Sequence, residues 1–579
     1  MADEEYHNAK PTFLDNVFRT KPLKVIQAEE KNEELPRSLS LFDLICIGIG
    51  STVGSGIFAT TGVIISKTAG PAAVVSWFIG GFVCCLNAFA YMELTTRIPS
   101  SGSTYAYAYH AIGELPAVIG AWLVTLEYGV SGAGVARSWA EKIEKWLLEA
   151  NANGNFHWLN LQYANILAAA VQALCVAILL MGIRFGKTFV NVVTVIKIAV
   201  VLFIIIAGFS AVTPSNYSPF IPERHINKAD DPVMAFGIQG VITGASQAFF
   251  GYIGFDEVCC LAAEAKNPKT VMPRAVIGVV LGTMFLSAFS SLALAGMVSY
   301  ESACEFADGF KAVHWNWAAQ IVHAGECITM PVVVLISFLA QPRVNYALAC
   351  DGLMPQIFAK VDDSGNLFVN TLITGIFFTA MAFLVPFTAL WDLVSFGILL
   401  SLIMSNSALL MIRTKRDSPR LAPWLVFSAV VTAFATSYTF QLGYMNNDSI
   451  VCLVLAIVFF IGLIVTTTML AIKCPQQPND PANFSAPLVP WIPVLSILLD
   501  WYLIAQISFL GMGLGCAWIG GAIISYFVYG YGNSAGRTGW SALLNYLPRD
   551  DKLASPILSV NEVAPSMTSM LREPPHHEK

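Results

Sequence analysis

The stretch Leu41 to Phe58, LFDLICIGIGSTVGSGIF, places Gly48, Gly50, Gly54 and Gly56 within nine residues of a segment otherwise apolar enough to enter a bilayer. Ser51, Thr52 and Ser55 stand between them. Each glycine weakens a helix by roughly 1 kcal/mol relative to alanine, so the run predicts a membrane helix that unwinds part-way. Unwound backbone at membrane depth is tolerated only inside protein or along a cavity, because lipid satisfies neither its amides nor its carbonyls. The residues leave two readings open: a cavity at the midplane, or close packing of neighbouring helices on small side chains.

Composition fixes the class. Only 12% of the 579 residues are charged and the mean hydropathy is +0.63, whereas soluble domains carry roughly 25% charged residues. The chain therefore reads as an integral all-α membrane protein in contact with lipid, with no nucleic-acid partner expected. Most of its 12 cysteines lie in apolar runs and read as small apolar side chains rather than a disulfide framework. No CxxC pairs with histidines, so neither a metal site nor a cofactor is expected.

Residues 1–40 are polar, of mixed charge, and read as a cytoplasmic tail. Apolar segments of spanning length, about 20 residues each, follow near 43–66, 72–96, 113–137, 162–182, 187–209, 235–262, 275–299, 318–349, 368–389, 391–412, 422–442, 450–472, 488–510 and 513–531. The expectation is about 14 transmembrane helices, the least defined being the last two and the close pair around Trp391. Cytoplasmic loops should hold the excess of lysine and arginine. With the N-terminus inside, 24 of the 32 basic residues fall on the inner side and seven outside (Lys67, Arg137, Lys142, Lys145, Arg224, Lys228 and Lys311). The one left over is Lys197, inside the fifth segment. Both termini are then cytoplasmic, and the glycosylation triplets at Asn216 and Asn447 fall on outer loops.

A second interruption lies in Phe249 to Glu257, FFGYIGFDE, where Gly251 and Gly254 break the sixth apolar segment beside Asp256. Breaks five spans apart are the pattern of a five-plus-five inverted repeat with discontinuous helices 1 and 6, its halves at about 41–212 and 235–412 and the site at their interface. Half-helix N-termini suit a carboxylate, while C-terminal ends and unwound carbonyls suit an ammonium group. An α-amino acid carries both charges on one carbon, so backbone alone can read its common part.

Lys197, in NVVTVIKIAVVLFIII, sits about ten residues inside its span from Lys187, roughly 15 Å at 1.5 Å per residue. An intramembrane charge is a functional-site hypothesis, here for proton coupling, against the alternative that its long stem reaches the interface. Glu127, deep in the third segment, either faces the cavity or partners a helix terminus or Lys197. Glu93 and Arg97, four residues apart, read as a surface ion pair. The proline-bounded segments AEAKNPKTVMPRAV and QPRVNYALACDGLMP are gate elements or helix stops.

Together GIGSTVGSGIF (48–58), GSTYAYAYHAIGE (102–114), the lysine in TVIKI, FFGYIGFDEV followed by EAKNP, PRVNYALACDG (342–352) and FSAPLVPWIPVLSILLDWYLIAQ with YGYGNS resemble the cationic amino acid transporter branch of the amino acid, polyamine and organocation superfamily along nearly the whole chain. The resemblance implies an amino acid permease core at 41–472, a two-helix extension at 473–531 and a cytoplasmic tail at 532–579. It implies alternating-access transport of L-amino acids, cationic ones such as arginine, lysine or ornithine first, without sodium and either coupled to protons or facilitative. By the same resemblance Thr52, Ser55 and Gly56 match positions holding the substrate carboxylate, and Phe250, Gly251 and Ile253 match positions whose carbonyls hold the amino group. Phe255 matches an aromatic gate, Lys197 the lysine that takes the place of a sodium ion, and Glu127 an acid near both. Ala263, beside Glu264, Cys350 and Asn345 depart from the family pattern at the inner gate.

Transport of small neutral amino acids or polyamines, and a transport-inactive amino acid sensor, stay open beside that reading; an enzyme finds no catalytic motif. Plasma membrane is expected ahead of vacuole or lysosome, and oligomeric state is open.

Overall fold

The computed structural model describes residues 13–26, 39–98, 100, 102–150, 160–161, 164–181, 187–223, 236–262, 265–303, 305–362, 366–414, 418–476 and 483–540. Ala263, Glu264, the rest of the N-terminal tail and the chain beyond 540 lie outside the described residues, as does the side chain of Ser55. Apart from a two-residue hairpin, Asn160–Leu161 against Ala164–Asn165, the described regular structure is helical.

Nine helical stretches among the described residues are long and apolar enough to cross a membrane, and Ile166–Leu180, Phe368–Leu384 and Trp491–Ile504 are shorter apolar helices. The first stretch, Leu41–Arg97, runs for 57 residues, about 85 Å if straight, against a hydrocarbon core of about 30 Å. It folds back at Gly70, whose φ of +64° only glycine adopts readily, and so holds the first two expected spans. Ser40 starts it with a capping box: its hydroxyl accepts from the Asp43 amide, and Asp43 accepts from the Ser40 amide at 2.9 Å.

Phe387–Thr414 is buried along most of its length and is the central post of the bundle. Pro268–Met297 packs on Ala73–Arg97, Leu41–Thr52 and Lys187–Ser210, while Asn316–Cys350 packs on Ser131–Ala150. At the periphery, Leu421–Tyr438 and Ile450–Lys473 expose large apolar side chains such as Trp424, Phe427, Ile450 and Val451, a surface that suits lipid. Trp491–Ile504 and Phe509–Ser525 both pack on the central post, and the extension is tied to the core by the Asn87 amide donating to Asp500 Oδ1 at 2.8 Å.

Three details differ from the sequence reading. The close pair of spans divides at Val385 and Pro386, between Phe368–Leu384 and Phe387–Thr414, because a proline cannot donate the amide that would carry the first helix onward; Trp391 lies inside the second helix. Part of the N-terminal tail is docked: Lys21 Nζ meets both carboxylate oxygens of Asp351 at 2.7 and 2.8 Å, and Val25 and Ile26 are buried. Glu93 and Arg97 are no surface pair. The fully buried Glu93 carboxylate takes Arg97 Nε at 2.8 Å, Arg413 Nε at 2.6 Å and Nη2 at 2.7 Å, and the Ala486 amide at 2.7 Å, so it joins the second span to the central post and to the start of the extension.

Candidate functional site

Both glycine-rich segments break where the sequence places the breaks. Leu41–Thr52 ends as Val53 turns to ψ 93°, and a second helix, Ser55–Val63, begins after Gly54 with no side chain capping its N-terminus. In the sixth segment Gly237–Ala248 tightens into a 3₁₀ turn, Phe249–Tyr252; Ile253 is extended, Gly254 takes φ +104°, and helix resumes at Glu257–Cys260. Each break leaves peptide groups without intrahelical partners.

The two breaks touch. A Cβ on Gly56 would lie 2.2 Å from Gly251 Cα, and one on Gly251 would lie 2.4 Å from the Trp77 ring, so backbone meets backbone only because both residues are glycine. Ser51 Oγ donates to Gly48 O at 3.0 Å and sits 3.3 Å from Gly254 O, spanning from one break to the other. Tyr252 braces the crossing by donating to Trp77 O at 2.6 Å.

Lys197 belongs to the same construction. Its Nζ, in a side chain only 1% exposed, donates to Gly50 O at 2.6 Å. In an unbroken helix that carbonyl would accept from residue 54, which has left the helix. The ammonium therefore fills an orphan acceptor at the negative end of a half-helix, where a cation is favoured. The neighbouring Thr194 hydroxyl donates to Cys46 O at 3.0 Å, and a Cβ on Gly50 would meet it at 2.5 Å. The lysine does not reach for the interface.

The other expected residues divide. Thr52 turns its hydroxyl to Gly48 O at 2.9 Å and to Thr283 Oγ1 at 2.7 Å, toward helix Pro268–Met297. Phe250 stacks edge-on against Phe387 and Trp391 at 5.7 and 6.4 Å between centroids, bridging the sixth segment to the central post. Ile253 is buried beside it in sequence, and Phe255 packs edge-on against Tyr91 at 5.6 Å. Glu127 is buried in a π-helical turn, Leu126–Val130, a local widening that often marks functional sites. Lys197 bonds Gly50 O rather than Glu127, whose carboxyl approaches that of Asp256.

Two features have no counterpart in the sequence reading. Glu257, beside the noticed Asp256, is a second buried acid at the break in the sixth segment; its adjacency to Asp256 was the only signal. On the other side of the crossing Lys142 Nζ donates to Phe58 O at 3.2 Å, in the second half of the broken first span, and pairs with Glu326 Oε2 at 3.0 Å and Glu305 Oε2 at 3.4 Å. Of the residues that depart from the family pattern, Asn345 sits in a buried polar network with Gln341, Asn370 and Thr374, and Cys350 is exposed.

A sequence profile described as amino acid permease matches residues 39–491, and one described as the C-terminus of AA_permease matches residues 484–534. The chain is 35% identical over 430 residues to the methylthioribose transporter of Bacillus subtilis (strain 168), covering 72% of this chain and 90% of that protein. It is 27% identical over 590 residues to cationic amino acid transporter 4 of Mus musculus, covering 90% and 91%. It is 31% identical over 428 residues to the branched-chain amino acid permease BcaP of Bacillus subtilis, covering 70% and 87%.

Proposed function

The chain belongs to the amino acid permease family, and from that premise we propose that it moves L-amino acids with a cationic side chain across a membrane by alternating access, coupled to protons and independent of sodium. The observation that carries this reading is the crossing at Gly56 and Gly251, which sets the bare start of helix Ser55–Val63 against the carbonyl-bearing end of the 3₁₀ turn Phe249–Tyr252. Amides there suit the substrate carboxylate, carried by Ser55 and Gly56 with Thr52 alongside. Carbonyls of Phe250, Gly251 and Ile253 suit the amino group.

In this reading the chain crosses the membrane fourteen times, with inverted repeats at about 41–212 and 235–412, both termini cytoplasmic, and the plasma membrane as its location. Phe255 against Tyr91 is the aromatic gate, and Phe250, edge-on to the stacked pair Phe387 and Trp391, braces the amino-group side of the crossing. Lys197 reports on the first break: while its ammonium caps Gly50 O the half-helices hold this arrangement, and loss of its proton frees them. Glu127 and Asp256 form a carboxyl pair able to carry the exchanged proton.

The similarity to a methylthioribose transporter and to a branched-chain amino acid permease favours a second reading in which the solute is neutral. Purified protein in liposomes distinguishes them. The proposal expects uptake of labelled arginine or lysine without sodium or ATP and enhanced by an inward proton gradient; uptake of neutral solutes alone supports the second reading, and no uptake of any amino acid contradicts amino acid transport.

A further inference from the structure

We propose that Glu257 is the specificity-determining residue of this site, the carboxylate that receives the guanidinium or ammonium of a cationic substrate side chain. The inference rests on the transport reading above and assigns a role that the backbone crossing cannot supply, since bare peptide groups read only the part that all amino acids share.

Glu257 follows directly on the non-helical stretch of the sixth segment, so the break itself fixes where its side chain enters the protein. It is 5% exposed, and neither carboxylate oxygen has a hydrogen-bond partner among the described residues. The hydroxyls of Ser51, at the first break, and of Ser337, on helix Asn316–Cys350, lie beside the carboxylate without a hydrogen bond of ordinary geometry to it. Ser51 also bridges to Gly254 O, which puts Glu257 next to the crossing rather than in a remote part of the bundle.

A buried carboxylate with no partner is costly, and among the described residues no cation or hydrogen-bond donor offsets that cost. Asp256 and Glu127 likewise have carboxylate oxygens without a hydrogen bond of ordinary geometry, but the two approach one another and can share a proton between them. Lys197, the basic group at the first break, donates to Gly50 O. Among the described residues no lysine, arginine or histidine nitrogen pairs with Glu257. What is missing is a group that only donates. A guanidinium presents five donors in a planar fork and an ammonium presents three, and the acceptors on offer are two carboxylate oxygens flanked by two hydroxyls. A neutral aliphatic side chain would leave Glu257 as it stands, buried and unmatched, so the site discriminates by the partner it lacks.

The test pairs a charge removed from the protein with a charge removed from the ligand. Arginine and its neutral isostere citrulline compete for labelled substrate in liposomes holding wild-type protein, Glu257→Gln or Glu257→Asp. A charge-assisted pair should give the wild type a preference for arginine of about tenfold or more, Glu257→Gln should lose it, and Glu257→Asp should keep part of it. Arginine should also raise the melting temperature of the wild type more than citrulline does, a comparison that needs no variant to fold. An arginine-to-citrulline ratio unchanged in Glu257→Gln overturns the assignment, as does a wild type that takes neutral amino acids with no preference for arginine, while leaving transport intact. A wild type that moves no amino acid overturns the transport reading and this one together.

Discussion

Gly56 and Gly251 meet as backbone against backbone, the site of a Cβ on Gly56 being 2.2 Å from the Gly251 α-carbon. Residues 195 positions apart in the sequence, each on a broken helix, thus come close enough to set peptide groups of both helices beside one another. A side chain at Gly56 would push the two breaks apart and one at Gly251 would strike the Trp77 ring, so the glycines determine the site by what they omit.

Gly56→Ala is therefore expected to fail on two readouts. The methyl group would meet backbone rather than a movable side chain, an overpacking cost of about 1–3 kcal/mol, and the melting temperature should fall along with loss of uptake. Gly513→Ala, where nothing lies within 4 Å, should leave both unchanged. A Gly56→Ala protein indistinguishable from wild type would show that the breaks tolerate separation.

Lys197→Ala removes the cap on Gly50 O without adding bulk. Expression should survive, while uptake in response to an imposed proton gradient falls by about tenfold or more, the scale of a lost hydrogen bond to a charged group. A proton-gradient response equal to that of wild type would take Lys197 out of the coupling.

Arg413→Ala strands Glu93 with Arg97 and the Ala486 amide as its remaining partners. Breaking a buried pair from one side costs about 3–5 kcal/mol, so the thermal midpoint in detergent should drop well below that of Arg413→Lys, which keeps the charge but loses the two-pronged contact. Equal midpoints would mean that the cluster does not hold the extension to the core.

Lys142→Met cuts the tie among Phe58 O, Glu326 and Glu305. If the tie holds the second half of the first span closed, Cys327, which lines the small cavity beside Lys142 and Trp139, should react several-fold faster with a membrane-impermeant thiol reagent, the site being mapped by mass spectrometry. Several-fold corresponds to about 1 kcal/mol of bias between open and closed forms, and an unchanged rate would make the tie purely structural.

Where the helices break was legible because glycine spacing is a local property: Val53, Gly54 and Gly254 fall inside the stretches that the sequence marks. The depth of Lys197 was legible for the same reason, since an isolated charge in an apolar run has few explanations. What each group touches was not legible. Gly50 O lies 147 residues from the lysine that caps it, and Arg413 lies 320 residues from Glu93, so local spacing assigned Glu93 to the surface with Arg97 alone. The turn of Thr52 toward Thr283 depends on how helix Pro268–Met297 packs, which no spacing within the first span encodes. Glu257 stood beside Asp256 in plain view, yet only the folded structure sets the two apart, Asp256 approaching Glu127 and Glu257 lying beside Ser51 and Ser337.

The account stands most directly on a structure determined with L-arginine bound. It predicts the carboxylate on the free amides at the start of helix Ser55–Val63, the α-ammonium on carbonyls of Phe250, Gly251 and Ile253, and the side chain directed to Glu257. Arginine bound away from these peptide groups, or helices running unbroken through Val53 and Ile253, would contradict it.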